Sequence, residues 1–434
     1  MNSRLLLSVF LLVLSCKQNE PTPAPKGVGV GASPVVATPA IKTRSANATP
    51  RSQKDFPTTE GVLALSNLES QIAGQEQVLA KTHNVEINAA LVPLFLLHGQ
   101  VTGRIADYER ADALSTELVK SLPKSFVTWR ARASVLSTFH RFVDALDALK
   151  KAEKFGEKPI ELIAPRMGIA RSQGQTESVL AYYEKMANDL PGIDTFGALA
   201  VLKGEQGQTD VADKLFARAQ DSYRNVSAFP VAMLYFQNGL IWQKAGSLSR
   251  ARELFDAAYE RLPMYAQATS HLASVLSATG ERERAISLLK PLAESSDDPE
   301  YAGQLAELLK TSGKGDEATT LAKKAGERYD ELIKKHSEAF ADHAARFWLA
   351  AGENPKKALT LAQLNLKNRT TSDAYDLAIR AAVAANDPKL ACKMADTLLK
   401  EPAPSPMEHL AAAHAFTACA RTAQADAEIK ASKN

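Results

Sequence analysis

With 434 residues, 45% of them hydrophobic, the chain is long and apolar enough to bury a sizeable core. Its 52 Lys and Arg residues nearly balance 49 Asp and Glu, a formal net charge of +3, so composition supplies no strong basic field to draw nucleic acid. Three cysteines are too few for a disulfide-dense scaffold.

The first residues set an expected compartment. Arg4 precedes a ten-residue apolar run, residues 5–14, which is too short to span a bilayer. The run ends in Val13-Leu14-Ser15-Cys16, so residues 1–15 have the shape of a signal peptide. This ending resembles a bacterial lipobox. The resemblance implies that Cys16 is lipidated and becomes the mature N-terminus, which places the protein in the cell envelope, anchored to the outer membrane and facing the periplasm. No later apolar run is long enough to cross a membrane, so attachment rests on Cys16.

Residues 16–57 are expected to form a disordered tether. From Lys17 to Pro57 there is no Leu, one aromatic (Phe56) and seven prolines, and such a segment cannot bury enough apolar surface to fold. Six basic residues against Glu20 and Asp55 give it a net charge of +4. Gly27-Val28-Gly29-Val30-Gly31-Ala32 formally fits a dinucleotide-binding fingerprint. That motif needs a strand before it and a helix after it, and here Pro-rich sequence lies on both sides.

From Thr58 onward the apolar spacing is helical. Residues 58–91 read as N-terminal capping helices, with Leu65, Leu68, Ile72 and Leu79 on one face. Residues 92–434 read as about nine repeats and a C-terminal cap. Their starts fall near Val92, Phe126, Ile160, Ile193, Ala232, Ala266, Pro299, Ala339, Ser372 and Pro406, mostly 33 or 34 residues apart. Two intervals are longer. The surplus around residues 226–231 contains Pro230 and is expected to be a loop; that in residues 327–338 lacks proline and is expected to lengthen a second helix.

Residues 232–265 are the clearest unit. Tyr235, Gly239 and Trp242 are followed by Gly246, where a first helix must end, and then by Ala251, Phe255, Ala258 and Pro263. Ala251, Leu254, Phe255, Ala258 and Leu262 make one apolar stripe. Small Gly239 and Ala258 allow two helices to approach closely. The pattern resembles the tetratricopeptide repeat, Trp-x2-Leu-Gly-x2-Tyr, then Ala-x3-Phe, then Pro, with Asn238 as the one clear departure. Asp107-Tyr108-Glu109-Arg110-Ala111 is close to a turn common in that family. The resemblance implies an all-α fold, an α-solenoid of helix-turn-helix repeats wound into a right-handed superhelix. A single hairpin cannot bury both its faces, so its neighbours must be hairpins as well.

Catalytic and metal-binding signatures are absent from the sequence. There is no His-Glu-x-x-His, no spaced Cys pair and no Gly-x-Ser-x-Gly elbow. His409 and His414 point to different helix faces, and His336 and His343 lie two turns apart on one face. No catalytic residue, cofactor or metal is therefore expected. Trp129, Trp242 and Trp348 fall in packing positions of the repeat.

The resemblance implies a non-catalytic scaffold that holds a protein or peptide partner, in an envelope assembly, secretion or export complex. Alternatives are a regulator of cell-wall enzymes and an enzyme whose site is not recognisable from sequence. In tetratricopeptide proteins the first helices line a concave groove. On that basis Phe236 and Leu240 are candidate partner anchors, with Gln243 and Lys244 beside them and Arg130 and Arg171 as positive rim charge. Cys392 and Cys419 lie on successive antiparallel helices at similar height. They are either a candidate disulfide in an oxidising envelope or two buried small thiols.

Overall fold

The computed structural model describes residues 49–400, 404 and 406–432, and among these no β-strand is present. A single helix, α1 (Gly61–Thr82), precedes a row of helical hairpins. The first four pair α2 (Ile87–Thr102) with α3 (Ile105–Ser121), α4 (Phe126–Thr138) with α5 (Phe142–Lys154), α6 (Pro159–Ser172) with α7 (Thr176–Asp189), and α8 (Ile193–Glu205) with α9 (Thr209–Ser222). Next come α10 (Ala228–Lys244) with α11 (Leu248–Arg261), and α12 (Ala266–Ala278) with α13 (Arg282–Ser295). α14 (Pro299–Thr311) pairs with the first part of α15 (Gly315–Leu349). His336, at φ −140° and ψ 53°, breaks α15 into two helices, and the part beyond it pairs with α16 (Pro355–Asn368). The last two hairpins are α17 (Ser372–Ala384) with α18 (Pro388–Leu398), and α19 (Pro406–Ala418) with α20 (Thr422–Ala431).

The second helix of the seventh hairpin is thus lengthened up to His336. The other surplus differs from expectation. α10 already begins at Ala228, and Pro230 sits in its first turn, where a residue without an N–H leaves no bond unmade. Residues 228–231 therefore extend the helix instead of looping out.

Every hairpin reverses through one residue in left-handed conformation. In six it is glycine: Gly103, Gly174, Gly207, Gly246, Gly280 and Gly313. In the other four it is His140, Glu353, Asn386 or Ala420. A positive φ just past a helix lets the chain turn while the last carbonyls are still satisfied.

The first helices of the fifth and sixth hairpins are buried over most of their length. Every residue of α10 from Ala228 to Gly239 is buried, as is every residue of α12 from Ala266 to Ala273. A helix buried on all sides needs neighbours beyond its own hairpin, and here the coil supplies them by returning onto itself. α1 packs against α10, and α2 against α12. The turns are tied edge to edge by bonds between residues far apart in sequence. The Ile105 and Ala106 amides donate to the Asp297 carboxylate at 2.6 and 3.0 Å. His140 Nδ1 donates to the Glu338 carbonyl at 3.2 Å, and Asn368 Nδ2 donates to the His140 carbonyl at 2.9 Å. Thr370 Oγ1 donates to the Gln173 carbonyl at 2.9 Å. The turn of the first hairpin thus meets the link after the sixth, that of the second meets the link after the seventh, and that of the third meets the link after the eighth.

The chain ahead of α1 is bound to this stack. The Arg51 amide donates to Tyr235 Oη at 2.9 Å, and its guanidinium pairs with Asp221. The Arg261 guanidinium donates to Gln53 Oε1 and the Phe56 carbonyl, both at 2.6 Å, and to the Arg51 carbonyl at 3.1 Å. The Phe56 ring lies 4.7 Å from the Arg51 guanidinium carbon and 5.9 Å from that of Arg261. The expected disorder is therefore corrected for residues 49–57. They have little apolar surface of their own, but a preformed surface on α9 to α11 satisfies their backbone groups. The remainder of the expected signal peptide and tether, Cys16 included, lies outside the described residues.

Candidate functional site

The expected partner groove is closed by the coil itself. Phe236 is 0% exposed. Its ring sits 5.2 Å from Tyr265, 5.3 Å from His271 and 5.9 Å from Phe255, centroid to centroid. Its assignment as an accessible anchor is overturned: the side of α10 read as facing a groove packs against the next hairpin and the returning turn. Leu240 is half-buried against the same core.

The polar candidates are drawn into structural pairs. Gln243 Oε1 accepts from His271 Nδ1 at 2.8 Å. Lys244 pairs across the turns with Asp373 at 3.5 Å. Arg130 pairs at 3.2 Å with Glu157 in the link after its own hairpin, and Arg171 pairs at 2.6 Å with Glu205 of the next hairpin. Four of the six lie on α10, whereas Arg130 lies on α4 and Arg171 on α6. Trp129 and Trp348 are half-buried, with Lys151 and Lys357 ammonium groups 4.4 and 3.8 Å from their ring centres. Cys392 on α18 and Cys419, just beyond α19, are joined in a disulfide with a Cα–Cα distance of 6.5 Å.

A polar site does form where the turns meet. A cavity of about 60 Å³ is enclosed by α3, the turn after α4, α12, α14 and the second part of α15. Its ionisable lining is His140, His271, Asp298, Glu300 and His343, with Tyr108 and Tyr301 supplying hydroxyls. Asp298 is placed by helix capping: it precedes Pro299 at the start of α14, and its carboxylate accepts the Glu300 amide at 2.9 Å. Glu300 accepts from His343 Nδ1 at 2.8 Å and from Gln304 Nε2 at 3.1 Å.

Burial separates the protonation states around the cavity. Burial, and then the neighbouring Glu300 charge, push the Asp298 carboxyl up to about 7. Burial alone would raise Glu300 as well, but the hydrogen bond and charge of His343 hold it below the usual carboxylate range. Burial would lower His343, yet Asp342 and Glu300 together lift it to about 9. Burial takes His140 down to about 3, aided by Arg369, and takes His271 down to about 4. Near neutrality the site thus holds one imidazolium paired with one carboxylate, two neutral imidazoles, and a second carboxyl poised between its two forms.

Sequence reading did not find this cavity. Its residues come from hairpins nearly 200 positions apart, and only the folded coil brings them together. Among the described residues no group of three or more His, Cys, Asp or Glu is placed to hold a metal ion. No helix among them is long and apolar enough to cross a membrane.

Helical hairpins stacked side by side, each packed against its neighbours, define an α-solenoid of the helical-repeat class. Residues 243–308 match the family model of the tetratricopeptide repeat. Among solved structures it is similar to the Cut9–Hcn1 hetero-tetramer of the APC/C, at 14% identity, covering 86% of this chain and 74% of that chain, with a TM-score of 0.44. It is also similar to the human IFIT1 dimer with PPP-AAAA, at 14% identity, covering 87% of this chain and 96% of that chain, with a TM-score of 0.38. No curated protein matches the chain.

Proposed function

We propose that this protein is a non-catalytic, lipid-anchored scaffold of the bacterial cell envelope that holds a protein partner within an assembly, secretion or export complex. The observation that carries the reading is the stacked-hairpin build, with residues 243–308 matching the tetratricopeptide repeat. Solenoids of this kind present extended surfaces for binding. The anchor is the diacylglyceryl group on Cys16, in an outer membrane facing the periplasm. The lipobox-like Val13-Leu14-Ser15-Cys16 supports that position, and the Cys392–Cys419 bond supports an oxidising compartment. Because the inner face is filled by the coil's own turns, the partner docks on the outward second helices and the turn edges. That is a revision of the groove-binding expectation.

Crosslinking of intact envelopes, followed by purification of the full chain and mass spectrometry, tests this reading. The expected result is a diacylglyceryl Cys16 and a reproducible protein partner whose crosslinks map to second helices or turns. Release of a soluble, unlipidated chain, or absence of any specific partner, would overturn it.

A further inference from the structure

The cavity between the turns is lined for a ligand that gives up hydrogen bonds. Glu300 is already matched by His343 at 2.8 Å. Asp298 makes no ion pair among the described residues, and the hydrogen bond its side chain accepts there is from the Glu300 amide. Tyr301 is 3% exposed and lines the cavity. Its hydroxyl, like that of Tyr108, has no hydrogen-bond partner among the described residues. Each hydroxyl can both donate to and accept from a ligand in the cavity. An anion is disfavoured by the two carboxyls. The cavity of about 60 Å³ has room for several water-sized positions, each taking about 10–15 Å³.

We propose that this cavity binds a small primary ammonium compound carrying a hydroxyl, on the scale of about four or five non-hydrogen atoms. The ammonium group donates to the Asp298 carboxylate, which makes no direct ion pair among the described residues. The hydroxyl end meets Tyr108 and Tyr301, accepting from one and donating to the other. Because the walls come from both turns of the coil, the bound ligand bridges the seam and holds it closed. Burial and the neighbouring Glu300 charge, partly offset by the His343 charge, raise the Asp298 carboxyl to about 7.

The test uses the full chain at pH 8, where Asp298 is ionised. Ethanolamine is titrated while the melting temperature and ligand-detected NMR are followed, with ethylene glycol and acetate as matched neutral and anionic controls. The expected result is a saturable rise in melting temperature with ethanolamine and none with either control. Asp298→Asn keeps the helix cap, because asparagine caps as well as aspartate, and it should weaken ethanolamine binding at least tenfold. Tyr301→Phe should weaken it several-fold, and it carries the test if the Asn variant does not fold. Absence of saturable binding up to roughly 100 mM, far above the range of even a millimolar dissociation constant, overturns the proposal. So does an equal response to ethylene glycol, or undiminished binding by both variants.

Discussion

Gly239 is where the packing of the coil can be tested with one carbon atom. A Cβ built there would sit 2.5 Å from Phe255 Cε1 and 2.6 Å from Cδ1. The ring cannot yield easily: Phe255 is 0% exposed and is held by Phe236 and His271, at centroid distances of 5.9 and 5.4 Å. Gly239→Ala therefore forces an overpacked core, at about 1–3 kcal/mol. It also gains helix propensity, worth about 1 kcal/mol, which blurs the result when the variant is read alone. Gly74→Ala in α1 isolates that second effect, because a Cβ there meets nothing within 4 Å. The two variants share the propensity gain, so the difference between them is the packing cost. Urea unfolding followed by circular dichroism should find Gly74→Ala at or above the parent midpoint. Gly239→Ala should fall below Gly74→Ala by about 1–3 kcal/mol. Equal midpoints for the two variants would show that α10 and α11 do not approach as closely as described, and the reasoning would fail.

Phe236→Ala should destabilise the fold by about 3–5 kcal/mol, as large core truncations do; an unchanged melting temperature would return Phe236 to an accessible surface. His343 links the seam to pH. Its folded pKa of about 9 lies above the ordinary 6.5, so its contribution is complete below pH 6.5 and is lost as pH rises through about 9. His343→Gln should therefore be less stable than the parent at pH 6 and approach it by pH 10, whereas a gap constant across that range would contradict the pairing with Asp342 and Glu300. Removing the disulfide by Cys392→Ser with Cys419→Ser opens a link spanning 27 residues. That should cost about 3.5 kcal/mol on the chain-entropy account, with the faster amide exchange confined to the last two hairpins. Exchange that accelerates uniformly along the chain would count against such a local clamp.

The helical repeat was legible because local physics determines it. The starts read at Phe126, Ile193, Ala266, Pro299, Ser372 and Pro406 coincide with observed helix starts. At these places an apolar stripe begins just after a polar or proline-marked break. Weaker signals tracked weaker chemistry. Four hairpin turns put His140, Glu353, Asn386 and Ala420 where the others have glycine, so the glycine signature fails in those repeats. In the eighth hairpin the left-handed residue is Glu353, one position after Gly352. The first repeat was read from Val92, yet α2 begins at Ile87. What sequence could not supply was the pitch of the coil. Whether Phe236 faces a groove or a neighbour depends on how far hairpins in successive turns stand apart. No residue within one repeat encodes that distance. The same limit hid the Asp298, Glu300 and His343 cavity, and it hid the role of Arg261 in binding the chain around Phe56.

The central claim is that successive turns of the solenoid touch and close its inner face. Distance measurement by pulsed electron spin resonance tests it directly. Spin labels would be placed at Arg104→Cys and Ser295→Cys, two exposed positions flanking the contacts of Gly103 with Ser296 and of Ile105 with Asp297. Cys16→Ser would remove the third cysteine, so that a chain made without its lipid carries no other thiol, with the Cys392–Cys419 bond left intact. The account predicts a single narrow distribution at the short limit of the method, unchanged when the partner is bound. A long or broad distribution would mean that the turns stand apart in solution and that the inner face is open after all.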